Sequence, residues 1–305
     1  MNELKTLAEG LRFPEGPIAC ADGSVLLVEI EAGCISRIAA DGGRSVVSRG
    51  GAPNGIAMGP GGKIFCCNNG GFSWLEAEEI LRPTGQSADY SGGRIEVIDP
   101  QTGEVTLLYD RIGEHRLSGP NDIVMDGQGG FWFSDLGKVR ARDRDHGGVY
   151  WGACDGSRIV EAGYPVFGGA NGIGLSPDGG TLYAAETETG RLWAWDVEGP
   201  GQLRKEPWPS SCGGRVLCQF PGYRRLDSLA VTAAGNICVA TLVAGEITTV
   251  SPTGEILHVA KMPERMPTNI CFGGADLRTA YITLSTTGKL VSMPWHEPGL
   301  RLHHG

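Results

Sequence analysis

Pro14-Glu15-Gly16-Pro17-Ile18, Pro53-Asn54-Gly55-Ile56, Pro120-Asn121-Asp122-Ile123, Ala170-Asn171-Gly172-Ile173, Leu226-Asp227-Ser228-Leu229 and Pro267-Thr268-Asn269-Ile270 share one register. Each opens a short apolar strand. The second position of the six reads Glu15, Asn54, Asn121, Asn171, Asp227 and Thr268, all oxygen-bearing side chains. A column of that kind, repeated six times, organises the rest of the chain.

Each stretch is followed by a second apolar run, among them Lys63-Asn68, Gly130-Asp135 and Thr181-Glu186. A third run follows, usually opened by glycine, as in Gly33-Ile38, Gly190-Trp195 and Gly245-Val250. Its period-2 alternation is that of a β-strand. A fourth run leads into the next repeat, except after the sixth. There Leu4-Ala8, at the other end of the chain, has the pattern to pair with the last repeat and close a ring. Four-stranded units of roughly 40 to 50 residues describe a β-propeller. The expected fold is all-β, a six-bladed propeller with four-stranded antiparallel blades, spanning residues 1–305 as one domain.

Composition agrees. The 305 residues include 49 Gly and 18 Pro, which suit many short strands joined by turns. A net charge of −9 argues against a nucleic-acid partner, and the run Arg140–Arg144 is interrupted by Asp143 and reads as a solvated loop. Nine cysteines, an odd number with Cys66 and Cys67 adjacent, do not make a disulfide framework. They read as small buried hydrophobes. The first twelve residues lack an apolar signal region, and no stretch reaches the ~18 apolar residues of a membrane span. A cytoplasmic protein with no membrane partner is the expectation.

In a propeller the first strands line the central channel and their starts converge. Insertions between second and third strands, or before the next blade, then cover that mouth: Gly70–Gly92, Ile112–Gly119 and Leu136–Gly147. Val197–Gly214, between third and fourth strands, falls on the far face, away from any chemistry. At the mouth end Glu15, Asn121, Asn171 and Asp227 offer two carboxylates and two amide oxygens. Hard divalent cations take such a set, Ca²⁺ foremost. Any one of these residues alone reads as a turn residue; the shared register in four blades is what points to a site.

These residues resemble the SMP-30/gluconolactonase family of six-bladed propellers, with diisopropylfluorophosphatase as a relative. Phe13-Pro14-Glu15-Gly16-Pro17 is similar to the family's opening Glu motif, Gly119-Pro120-Asn121-Asp122 and Ala170-Asn171-Gly172 to its two Asn motifs, and Leu226-Asp227-Ser228 to its Asp motif. The resemblance implies that Glu15, Asn171 and Asp227 hold one divalent metal, that Asn121 binds metal or substrate, and that the reaction opens a small-molecule lactone. It admits Mg²⁺, Mn²⁺ or Zn²⁺ beside Ca²⁺. Two departures stand out. Gly119 occupies the place where relatives acting on hexonolactones carry arginine, and Leu226-Asp227-Ser228 replaces Pro-Asp-Gly. The first points to a different or more apolar lactone.

The expected reaction is attack of water on a polarised lactone carbonyl. The resemblance makes Asp227 the candidate base, with a cation-activated water as the alternative. Asn54 shares the column and is a candidate substrate contact or a plain turn residue. His115, in a mouth loop, is a candidate proton donor to the leaving alkoxide or an exposed loop histidine. Trp74, with Leu75 and Tyr90, would supply an apolar lid or simply pack down. Asp135 and Glu186 end second strands and read as hydrogen-bonding groups between blades; His303 and His304 read as tail. No Gly-x-Ser-x-Gly, His-Glu-x-x-His or Gly-x-Gly-x-x-Gly pattern is present, and Gly59-Ile64 reads as a hairpin turn. Hydrolysis of another ester or phosphotriester, and a binding propeller with a structural cation, are the competing readings.

Overall fold

The computed structural model describes residues 4–78 and 80–304. It forms six antiparallel blades, each an up-and-down meander of four strands. Blade one runs Pro14–Ala19, Val25–Glu29, Cys34–Ile38 and Arg44–Arg49. Blade three runs Pro120–Met125, Gly130–Asp135, Gly147–Ala153 and Ile159–Val166. In blade six, Pro267–Gly273, Thr279–Leu284 and Lys289–Pro294 are completed by Lys5–Ala8 from the start of the chain, with Lys5 opposite Ser292 and Thr6 opposite Val291. The terminal strand thus closes the ring, completing the last blade with a strand from the other end of the chain.

The six first strands touch their neighbours in cyclic order, one through six and back to one. Those of blades three and four are wholly buried, whereas an outer strand such as Ile256–Lys261 is mostly exposed. The apolar core is divided among six clusters, one at each junction of blades. Between blades three and four Trp132 and Trp151 meet Leu182, Trp193 and Trp195. Between blades five and six Ile247 and Ala240 meet Ile270, Ile282 and Val291. Alternation along each strand supplies both faces of a blade with apolar side chains, which is why the inner strands read as nearly continuous hydrophobic runs. All nine cysteines are free thiols, six of them buried.

One irregularity recurs. Every first strand carries one extra residue near its start: Pro120 pairs with Asp135 but Ile123 with Phe133, and Ala170 with Glu186 but Ile173 with Ala184. The same shift separates Glu15 from Ile18, Pro53 from Ile56, Leu226 from Leu229 and Pro267 from Asn269. A β-bulge re-aims the side chains beside it. Gly16, at φ 53°, lies in blade one's bulge, where a Cβ would meet the backbone of Asn54 at 3.0 Å.

The Gly70–Gly92 insertion, read from sequence as a loop, contains a β-hairpin, Phe72–Ala77 with Ile80–Gln86. It lies across the mouth as a roof. Gln86 N donates to Val139 O of blade three at 2.9 Å, and Leu81 N to Thr286 O of blade six at 3.0 Å. Glu76 meets Arg12, on the chain entering blade one, at 2.7 Å. A smaller hairpin, Arg111–Ile112 with His115–Arg116, stands beside it. Among the described residues there is no α-helix, only the 3₁₀ turn Pro60–Gly62 in blade two's first hairpin, and no helix long and apolar enough to cross a membrane.

Beyond Trp295 the chain crosses the far face. Gly299 N donates to Leu277 O and Leu300 N to Val231 O, at 2.8 and 2.9 Å. Leu300, Arg301, Leu302 and His303 then border a cavity of about 210 Å³ in the axial channel. His303 is therefore more than tail: its ring packs on the Gly127 backbone in blade three.

Candidate functional site

The bulged strand starts bring five of the column residues to the mouth end of the channel: Glu15, Asn54, Asn121 and Asn171, all nearly inaccessible, and Asp227, half-buried. Asn54 Nδ2 donates to Asn121 O at 3.2 Å and ties blade two to blade three. Ser134 Oγ donates to Asn171 O and ties blade three to blade four. Asn171 Nδ2 lies 3.2 Å from Thr187 Oγ1 and also faces the Asp227 carboxylate. Close approach of the strands needs glycine at position 55, where a Cβ would stand 2.5 Å from Asn121 O.

Two residues join the ring that column reasoning did not assign. Asn269 Nδ2 donates to Glu15 Oε2 at 2.9 Å, beside Gly16 N at 3.0 Å. Thr268, the residue in register, also bonds Glu15 but is tied to Thr283 within its own blade. Asp122 is the second. Its carboxyl is buried, bonds Ser228 and feels the charge of Glu15. Its position immediately after Asn121 was the one available signal, since a bulge can turn two successive side chains to the same side.

Three buried carboxyls thus share one small region. Burial, above all, and then the charge of Glu15 push Asp122 up to about 8. The same causes in the same order raise Asp227 well above the carboxylate range, with Asp122 adding to them. Burial raises Glu15, opposed by bonds from Asn269, Thr268 and Gly16. No lysine or arginine forms an ion pair with any of the three among the described residues; Arg225, near Asp227, is paired with Glu188. Asn171 Oδ1 is buried with no hydrogen-bond partner among the described residues. Unpaired buried acceptors and crowded carboxylates are what a bound cation relieves. The residues present therefore fit a hard divalent ion, although no group of three or more His, Cys, Asp or Glu among the described residues forms a metal cluster by itself. The donor set mixes carboxylates with amide oxygens.

The remaining candidates lie outside the ring. His115 is exposed on its hairpin, opposite Ile112. Trp74 packs down, 5.2 Å from the Phe13 ring and 6.1 Å from Phe72, in the apolar layer under the roof. Asp135 accepts N–H groups of Ser118, Gly119 and Gly137 at 2.7–2.8 Å, and Glu186 those of Gly168 and the Trp193 indole at 2.6 and 2.8 Å. Both hold mouth loops rather than face the axis.

A closed six-bladed ring with carboxylate and amide side chains gathered at one end of its axis defines a class of propeller with a built polar centre. Residues 13–286 match the SMP-30/Gluconolactonase/LRE-like region, and the chain belongs to that family. A 6-deoxy-6-sulfogluconolactonase of Pseudomonas putida is 27% identical over 71% of this chain and 82% of its own. A gluconolactonase of Zymomonas mobilis is 23% identical over 92% of this chain and 79% of its own. Among solved structures, a calcium-binding protein, regucalcin, from Agrobacterium tumefaciens has the same fold, with a TM-score of 0.73 and 19% identity over 99% of this chain and 98% of that one.

Proposed function

We propose that this chain is a lactonase: it opens a sugar-derived or other small lactone with water at the axial ring, using one divalent cation held by Glu15, Asn121, Asn171 and Asp227. The observation that carries the cation is the buried, unpartnered Asn171 Oδ1 on a side chain beside carboxyls that no basic side chain neutralises among the described residues. Relatives bearing lactonase names over most of the chain support the reaction. Oxygen-only donors favour Ca²⁺, and the regucalcin likeness, a protein whose title names calcium, is in keeping with that ion. When bound, such an ion supplies Lewis acidity toward the lactone carbonyl.

The chain's own residues do the rest. Asp227, oriented by the Asn171 amide, takes a proton from the attacking water as the new C–O bond forms. The ring C–O bond breaks, and the leaving oxygen collects a proton to give the hydroxy acid. Asn121 and Asn54 border the substrate, and Asn54 is held there by its bond to Asn121 O. Phe13, Trp74 and Leu81 form an apolar ceiling that limits the water in the mouth. His115 is kept as a candidate donor to the leaving oxygen, to be tested by His115→Ala.

Acid release followed with a pH indicator tests the reading, on a panel of five- and six-membered lactones with chelated and cation-restored protein. Cation-dependent turnover that Asp227→Ala abolishes is the expected result. No turnover of any lactone with any cation would overturn it and leave a phosphotriester or a structural cation as the use of the ring.

A further inference from the structure

On the mouth side of the ring lies a second polar cluster that neither the fold nor the hydrolysis employs. Lys138, in blade three's mouth loop, is 1% exposed. Its ammonium donates to Asn69 Oδ1 and Gly71 O, both at 3.0 Å, and stands 3.9 Å from the centre of the Phe72 ring. Asp135 and Asp145 act on it only through space, and burial outweighs them, lowering its pKa to about 7. Asn69 is equally buried. Its Oδ1 accepts from Lys138 and from Gly71 N at 2.9 Å, which fixes the amide and leaves Nδ2 buried with no partner among the described residues. Ser87 Oγ, also buried and unpartnered, adjoins Gly71.

The position of this cluster is defined by its neighbours. Asn69 N donates to Ala52 O at 2.9 Å, two residues before Asn54. A Cβ on Gly119, two residues before Asn121, would stand 3.5 Å from Lys138 Cε. Lys138 and Asn69 therefore sit one step mouthward of Asn54 and Asn121, between blades two and three. A buried cation with no counter-ion in contact, beside a buried donor with no acceptor, is a combination that folding alone does not favour. What it lacks is a group that is both negative and rich in acceptors.

We propose, resting on the lactonase reading, that Asn69 is a specificity-determining residue, its amide aimed by Lys138 to donate to an oxyanion substituent, carboxylate or sulfonate, carried on the substrate lactone. Ser87 Oγ supplies a further hydroxyl beside it. Phe72 and Tyr90 shield the ammonium, and both belong to the roof insertion, whose roots carry Gly70, Gly71 and Gly92 at positive φ.

The test compares kcat/KM for D-glucaro-1,4-lactone, which bears a carboxylate, with that for the neutral D-glucono-1,4-lactone. The wild-type ratio is expected to favour the carboxylate, and Asn69→Ala and Lys138→Met to lower it about tenfold or more, the worth of one charge-assisted hydrogen bond. Asn69→Ser replaces Asn69→Ala if the alanine variant melts early. A wild-type ratio near one, or a ratio unmoved in the Asn69 variant, overturns the proposal. Calorimetric binding of glucarate and gluconate to wild type gives a readout independent of turnover, with glucarate expected to bind at least about tenfold tighter. Equal binding overturns the subsite. If neither lactone is opened the lactonase reading fails, and the calorimetric ratio still decides on the oxyanion subsite.

Discussion

The two ends of the axial channel are built by the same six strands and are chemically opposite. At the mouth end, strand starts present Glu15, Asn121, Asp122, Asn171, Asp227 and Asn269, all buried but the half-buried Asp227, with Asn171 Oδ1 left without a partner among the described residues. At the far end, the tails of those strands present Ile18, Met58, Met125, Leu175, Val231 and Phe272 around a cavity bordered by Leu300 and Leu302. One end concentrates groups that cost stability when buried without partners; the other buries apolar surface that returns it. A stable ring of blades can carry a destabilising centre because the centre occupies only the first positions of each inner strand.

The division breaks most visibly at the mouth. Asp227→Asn keeps the shape of the side chain and removes its charge, and is expected to lower turnover by about 10²–10⁴-fold, the usual worth of a positioned proton acceptor, in initial-rate assays at saturating cation. At the far end, Leu175→Ala is expected to cost about 2–4 kcal/mol of stability by denaturant unfolding while turnover below the melting transition persists. Loss of turnover without loss of stability would mean that the far end shares in the chemistry.

The same contrast has a pH signature. Glu15, Asp122 and Asp227 have folded-state pKa values raised by burial, to which the charge of Glu15 adds at Asp122 and Asp227. Above about pH 4 the unfolded chain releases protons that the folded, cation-free chain retains. The folded state binds more protons, so stability falls as pH rises through that window toward 8. Chelated protein should therefore melt at a lower temperature at pH 8 than at pH 5, and added Ca²⁺ should raise the melting temperature more at pH 8. An equal Ca²⁺ effect at both values would separate the ion from these carboxyls.

The smallest effect belongs to the roof's outer tether. Arg12 bridges Glu31 and Glu76 at 2.7 Å but is one-third exposed, so Arg12→Gln should change stability by less than about 1 kcal/mol in a thermal melt. A larger loss would show that the roof is coupled to the ring of blades more tightly than its packing suggests.

The propeller was legible because period-2 strands and a repeated polar column survive in sequence without any tertiary knowledge. Even the closing strand, Lys5–Ala8, could be read from the missing fourth run of blade six. What stayed hidden depends on contacts between distant segments. The roof hairpin carries Glu76, Pro83 and Gly85 in place of clean alternation, and its hydrogen bonds to Val139 and Thr286 hold it on other blades. Asn269 was missed because the register pointed to Thr268, while the bulge in blade six brings both side chains to Glu15. Lys138 stands just before a charged run that does read correctly as solvated, with Arg140 paired to Asp143 and Asp145. Only the burial of one lysine, against Asn69 of another blade, separates it from that run.

We propose that the polar end of the axis holds one cation and opens a lactone there. The most direct test of this is the rate of acid release from a lactone substrate during stepwise return of Ca²⁺ to chelated protein, wild type beside Asn171→Ala. The rate is predicted to rise to a plateau at one ion per chain in wild type, and to need at least about tenfold more Ca²⁺ in the variant, which lacks the unpartnered Oδ1. A rate indifferent to chelation, or the same Ca²⁺ dependence in both proteins, would contradict it.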